Sequence, residues 1–253
     1  MGRDKIVIIQ ARMQSTRLPG KVLCPIVEKP LLLHVIDRVK RASKVNHVIV
    51  ATSCEDVDFA IVKCVEGYDS CVSVTQGSET NVLDRYYQSA LWYNKLTGNV
   101  YDIVRITADC PLIDPDVIDL HLAEFDQQEV DYLSSRIVAR TWPHGMELEV
   151  FSFEALEKAW QGATTQIEKE HVTPYIYATH KDEFSLYEFS YSADMSHYRF
   201  TVDYPEDMAF VKAIYEGLYG KNKNFSFEDI INFLGENPEI VLLNNNRVDT
   251  KIL

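Results

Sequence analysis

No run of about 18 consecutive apolar residues occurs in the 253-residue chain, so neither a membrane-spanning helix nor a signal peptide is expected. The opening Met-Gly lacks the Ser or Thr of a myristoylation signal at position 6, where Ile6 stands. Cys24, Cys54, Cys64, Cys71 and Cys110 form no Cys-x-x-Cys pair, and an odd count leaves one out of any intrachain disulfide scheme. Reduced thiols and a cytoplasmic location are the expectation. Zinc chemistry lacks closely spaced His and Cys ligands. Cations are also in deficit: 25 Lys and Arg against 38 Asp and Glu leave a net charge of −13, which argues against a nucleic-acid polymer or a membrane surface as partner. The P-loop pattern, the Gly-x-Gly-x-x-Gly fingerprint after the first strand and the Gly-x-Ser-x-Gly elbow are all missing, which excludes the commonest NTPase, dinucleotide and hydrolase sites. With only 10 Gly and 9 Pro, no stretch reads as an interdomain linker.

What the chain does have is 46% hydrophobic residues, enough for a substantial core, and one uneven charge distribution. Residues 1–27 carry Arg3, Lys5, Arg12, Arg17 and Lys21 against Asp4, a net +4, while the remainder carries −17. The cations Arg12, Arg17 and Lys21 follow the apolar run that begins at Ile6 and surround a Pro19-Gly20 turn. A buried first strand ending in a basic loop is an anion-binding arrangement.

The hydrophobic pattern places elements around this loop. Leu32, Val35, Ile36 and Val39 have helical spacing; 47–53 reads as a strand; Val57, Ala60, Ile61 and Cys64 form the inward face of a second helix. A strand near 71–75, a capped helix with Val82, Leu83, Tyr86, Tyr87, Ala90 and Leu91 inward, and a strand at 102–107 continue the alternation. Alternating β and α elements imply a mostly parallel sheet with right-handed crossovers. From residue 130 the alternation weakens: strands are expected at about 130–135, 147–151, 185–192 and 199–203. Helices are expected at about 153–162, 168–180 and 226–234, with another placing Met208, Val211, Ile214, Tyr215 and Leu218 on one stripe. The expectation is one domain over 1–253, with a lobe at about 130–195 and an extended tail at about 236–253.

Asp109 follows the strand at 102–107 and Asp203 follows the expected strand at 199–203. Carboxyl ends of parallel strands converge on one crevice. Two carboxylates facing three cations describe a Mg²⁺–polyphosphate site, with hard oxygen ligands on the ion. Either aspartate alone, standing near a proline, reads first as a cap or turn former; it is the basic loop beside them that favours the metal.

The stretch Ile9-Gln-Ala-Arg-Met-Gln-Ser-Thr-Arg-Leu-Pro-Gly-Lys-Val-Leu23 resembles the signature loop of the sugar-activating cytidylyltransferases, most closely the branch of spore-coat polysaccharide biosynthesis protein F. Val50-Ala-Thr-Ser53, Val82-Leu-Asp-Arg-Tyr-Tyr87, Arg105-Ile-Thr-Ala-Asp-Cys-Pro111, Glu149-Val-Phe-Ser-Phe153, Glu170-His-Val-Thr-Pro-Tyr175 and Tyr198-Arg-Phe-Thr-Val-Asp-Tyr-Pro-Glu-Asp207 continue the match in the family's order. The family is similar, more distantly, to the synthetases of CMP-sialate and CMP-3-deoxy-octulosonate. The resemblance implies a single Rossmann-like nucleotide-diphospho-sugar transferase fold, usually a homodimer, acting on CTP and a small anionic acceptor with Mg²⁺. It implies that Arg12 and Lys21 contact phosphates with Arg17 as helper, and that Asp109 and Asp203 hold the metal. Gln10, Ala11, Thr52, Ser53 and Arg85 then lie along the nucleotide. Cys110 reads as packing rather than as a nucleophile.

The acceptor side falls to His144, Glu147, Glu149 and His171. His144 stands where the branch commonly shows the Asp of Pro-Asp-Gly; it either contacts an anionic acceptor or caps its loop. A glycosyltransferase using a preformed nucleotide sugar, and a catalytically silent nucleotide-binding subunit, are the competing readings.

Overall fold

The computed structural model describes residues 3–99 and 101–247. The chain runs β1 (Asp4–Gln10), a 3-10 turn (Lys21–Leu23), β2 (Pro25–Ile26), β3 (Lys29–Pro30), α1 (Leu31–Lys40), β4 (His47–Ser53), a 3-10 turn (Asp56–Asp58), α2 (Phe59–Glu66) and β5 (Val72–Gly77). It continues through α3 (Val82–Thr97), β6 (Tyr101–Thr107), α4 (Pro115–Gln128), β7 (Tyr132–Ser134), β8 (Glu149–Ser152), α5 (Phe153–Gly162) and α6 (Gln166–His171). A π turn (Tyr175–Thr179), β9 (Leu186–Glu188), α7 (Pro205–Leu218), α8 (Phe227–Glu236) and α9 (Pro238–Val241) complete it.

Seven strands form one sheet in the order β5-β4-β1-β6-β8-β7-β9. The first four are mutually parallel, and β8 is antiparallel to both its neighbours. The sheet is covered on both faces, as a parallel sheet must be. Period-two alternation in β1 sends Val7 and Ile9 into the layer that holds Val39, Ile61, Ile118, Val211 and Ile230. Ile6 and Ile8 enter the opposite layer with Leu83, Tyr86, Leu156 and Ile176. This is the mostly parallel α/β architecture expected of the sequence. Among the described residues no helix is long and apolar enough to cross a membrane.

Gln10 is in register with Ala51 of β4 and with Thr107 of β6. The loops after β1, β4 and β6 therefore leave the sheet at one edge, and that edge carries the site.

Four expectations need correction. Residues 199–203 form no strand: a single bridge joins Arg199 to His144, while Phe200 and Val202 are apolar because they fill the core. The helix expected over 168–180 stops at His171, because Val172 takes a positive φ of 73° and Pro174 has no N–H to extend the ladder. In the second helix Val57 and Ala60 face solvent, and Asp58, Ile61, Val62 and Val65 turn inward. The tighter 3-10 start rotates the helix face there. The tail is not extended over 238–246: Pro238 opens α9, turns follow, and Asn244 is buried. Residues 248–253 of that tail lie outside the described residues.

Candidate active site

Gly20 adopts a left-handed φ of 72°, which closes the loop after β1 and starts the 3-10 turn at Lys21. Lys21 is thereby turned inward and is only 7% exposed. Its ammonium lies 2.7 Å from Asp109 Oδ2, 2.9 Å from Asp203 Oδ1 and 2.7 Å from the carbonyl of Val202. Each aspartate is held from its other side as well. Thr107 donates to Asp109 Oδ1 at 2.5 Å. Arg17 and Arg199 reach Asp203 at 2.5 and 2.9 Å. Arg199 is itself fixed by Asp207, which also accepts from the amides of Asp203 and Tyr204, and Asn244 donates to Asp207. The Val202 amide donates to the Asp109 carbonyl at 2.8 Å, so the two carboxylates share one floor although no strand carries the second.

Burial disfavours charge on all three groups, and their mutual attraction outweighs it. Lys21 is raised, Asp109 is held far below the usual carboxylate range, and Asp203 is lowered despite the opposing charge of Asp109. Cys110 is pushed strongly up by burial and then by Asp109, which keeps it a protonated thiol rather than a nucleophile.

The other side of the floor is formed at the ends of β1 and β4 and the start of α3. Gln10 is half-buried and Ala11 buried; Arg12 is exposed at the loop, and the pKa of Arg85 is lowered first by its burial and then by the charge of Arg12. Gln10 Oε1, Thr52 Oγ1 and Arg85 Nε are buried without a hydrogen-bond partner. Buried polar atoms are rarely left unsatisfied except where a ligand or water completes them. Ser53 differs: its hydroxyl donates to Asp58 Oδ2 at 2.5 Å, and Asp58 Oδ1 accepts from the Met13 amide at 2.6 Å. Ser53 and Asp58 therefore brace the basic loop. Asp58 was missed from sequence because it reads as one more acid at a helix start.

His144, Glu147, Glu149 and His171 all line a cavity of about 690 Å³ together with Arg17, Asp109 and Asp203. The loop carrying His144 is stitched to 198–200 by His144 N to Tyr198 O at 2.9 Å and Phe200 N to His144 O at 2.7 Å. Gly145 permits that approach: its φ is 100°, and a Cβ there would sit 2.7 Å from Thr201 N. Glu147 accepts from the Gly145 amide at 2.6 Å and pairs with Arg140 at 2.5 Å, with His144 Nδ1 3.4 Å away. Burial opposes its charge, but His144 and Arg140 hold its pKa below the ordinary value. Both oxygens of Glu149 are already engaged, one by Arg105 and the other by Tyr132 at 2.6 Å and Thr173 at 2.5 Å. It builds the wall of the cavity and positions Thr173.

A cytidylyltransferase family model matches residues 6–238, a span containing the basic loop, both aspartates and the cavity wall. The chain belongs to the cytidylyltransferase family. This family comprises CTP-dependent nucleotidyltransferases, as the signature loop implied. Spore coat polysaccharide biosynthesis protein SpsF of Bacillus subtilis is 31% identical over 93% of this chain and 96% of that protein. The structure of a cytidylyltransferase from Leptospira borgpetersenii superposes with a TM-score of 0.87 at 31% identity, covering 99% of this chain and 100% of the other. A CMP:2-keto-3-deoxy-manno-octonic acid synthetase complexed with CTP shares the fold, with a TM-score of 0.62 at 18% identity over 85% of this chain and 99% of that one.

Proposed function

We propose that the chain is a Mg²⁺-dependent cytidylyltransferase joining CTP to a small anionic acceptor, a sugar acid or a phosphorylated or phosphonate compound, with release of pyrophosphate, for surface polysaccharide. The observation that carries this reading is the position of Lys21. It bridges Asp109 and Asp203 on the floor between the unsatisfied atoms of Gln10, Thr52 and Arg85 and the cavity walled by His144, Glu147 and His171.

Two carboxylates turned to one point of positive charge fit a Mg²⁺ ion, which takes one or two carboxylates and completes its shell with water and phosphate oxygens. No cluster of three or more candidate ligands exists among the described residues, so the remaining ligands would come from the nucleotide. When bound, the ion would neutralise charge on the phosphates. The chain's own residues do the positioning. The acceptor oxygen attacks the α-phosphorus as its bond to pyrophosphate breaks, and Lys21 with Arg12 meets the charge that builds on the phosphate oxygens. Arg17 steadies Asp203 until the triphosphate arrives. Six arginines line the cavity against four carboxylates, an excess of positive charge that suits an anionic acceptor. Polysaccharide biosynthesis is taken from the name of the Bacillus subtilis relative. A homodimer through the 130–195 lobe belongs to the same reading, supported by exposed Val138, Trp160 and Ile167; sedimentation of the purified chain measures it.

The test is Asp203→Asn, scored for Mg²⁺-dependent pyrophosphate release and for melting temperature. Activity is expected to fall at least a hundredfold with the fold kept. An active variant contradicts the proposed role of Asp203.

A further inference from the structure

A second cavity, about 480 Å³, shares no lining residue with the first and lies against α1. Its wall carries four cations, Lys29, Arg38, Arg41 and Lys223, against two acids, Glu28 and Asp37. Three of these cations are engaged. Lys29 pairs with Asp37, and Lys223 with Glu28 at 3.0 Å. Arg38 holds the loop beyond Asp109, donating to the Ile113 carbonyl at 2.5 Å and lying 3.5 Å from Asp114.

Arg41 is different. Its Nε and Nη2 are both buried and neither makes a hydrogen bond. Those two N–H groups form the edge of a guanidinium that meets two oxygens of a single oxyanion. The end of α1 accounts for a cation at this position, since Arg41 caps a helix C-terminus. It does not account for a donor fork removed from water and left unpaired, a state native proteins avoid. Burial and the neighbouring charge of Arg38 both weigh against the charged form of Arg41, and an anion would relieve both.

We propose that this cavity is a second anion site, in which Arg41 takes two oxygens of a phosphate group, either free or carried on a small metabolite. Asp37, Glu28 and Asp114 offset Lys29, Lys223 and Arg38, so Arg41 carries the uncompensated positive charge of the wall, and its fork presents two donors to the oxygens of one phosphate group. The rings of Tyr68 and Tyr219 also line the cavity, and its volume leaves room for more than the phosphate itself.

Titration calorimetry with inorganic phosphate tests the site. The nucleotide site is silenced first by Lys21→Ala, and Arg41→Gln is then added to that background. Phosphate is expected to bind the Lys21→Ala protein and to bind the double variant at least tenfold more weakly. Equal affinities in two proteins with the same circular dichroism overturn the proposal. Crystals of the unaltered chain soaked in inorganic phosphate give a readout independent of either variant's folding. A phosphate on Arg41 Nε and Nη2 supports the site, and a water or a protein carboxylate on that edge overturns it. Repeating the titration with glycerol phosphate separates the sources: tighter binding assigns the site to a phosphorylated metabolite, and equal or weaker binding to free phosphate.

Discussion

Lys21 Nζ stands 2.7 Å from Asp109 Oδ2, although 88 positions separate the two residues in sequence. The contact joins the loop after β1 to the loop after β6, and Asp203 adds a third loop to the same ammonium. Replacing Lys21 with Ala leaves two half-buried carboxylates facing each other, at a cost below the ~3–5 kcal/mol of breaking a fully buried pair because Arg17 and Arg199 still hold Asp203. Transition-state stabilisation is lost as well, about a hundredfold to a thousandfold in kcat. Urea denaturation and pyrophosphate release measure the two effects, and added Mg²⁺ is expected to restore part of the stability.

The Asp58 brace gives a second prediction. Asp58→Ala deprives the Met13 amide and the Ser53 hydroxyl of their acceptor, at about 1–3 kcal/mol for the unsatisfied groups. The basic loop loosens, so KM for CTP should rise about tenfold, an effect of about 1.4 kcal/mol, with kcat less affected. Initial rates over a CTP series check this; an unchanged KM would mean that the loop is held without Asp58.

At Gly145 the backbone, not the side chain, is at issue. Gly145→Ala places a methyl group against Thr201 N and demands a positive φ from an L residue, costing about 1–3 kcal/mol. The His144 loop should then separate from 198–200, raising acceptor KM more than CTP KM. Bisubstrate kinetics distinguish the two.

Acid stability is set partly by two buried histidines. Burial lowers both His34 and His121 to about 4, and their ring nitrogens are bonded to Ile26 O at 2.8 Å and to Val117 O and Ser135 Oγ at 2.7 Å. Between an unfolded pKa of about 6.5 and these depressed values, the unfolded chain binds more protons than the folded one. Stability is therefore full above about pH 6.5 and declines as pH falls toward 4, by up to about 1.4 kcal/mol per pH unit for each histidine. Urea midpoints between pH 7 and 4 measure the slope, and His121→Asn should flatten it.

The sequence made the parallel half legible because its two central strands carry continuous apolar runs bounded by turn chemistry, Ile6–Ile9 and Val48–Ala51. The convergence of Lys21 and Asp109 followed from loops that leave the sheet after β1 and β6, whereas Asp203 joins them from an irregular loop tied to Asp109 by the Val202 amide. Arg-Phe-Thr-Val-Asp at 199–203 misled because burial alone produces the same pattern as a ladder: Phe200 and Val202 pack into the core from an irregular loop. Asp58 and Asn244 were invisible for a different reason. Their work depends on partners remote in sequence, Met13 at 45 positions for Asp58 and Arg199 at 45 for Asn244, and neither carries a local pattern.

The central claim is tested most directly by pyrophosphate release from CTP and Mg²⁺ across a panel of sugar acids and phosphorylated and phosphonate acceptors. The account predicts release with at least one acceptor, lost on chelation with EDTA and reduced at least a hundredfold by Asp109→Asn in a folded protein. No release with any acceptor, or release that survives Asp109→Asn unchanged, would contradict it.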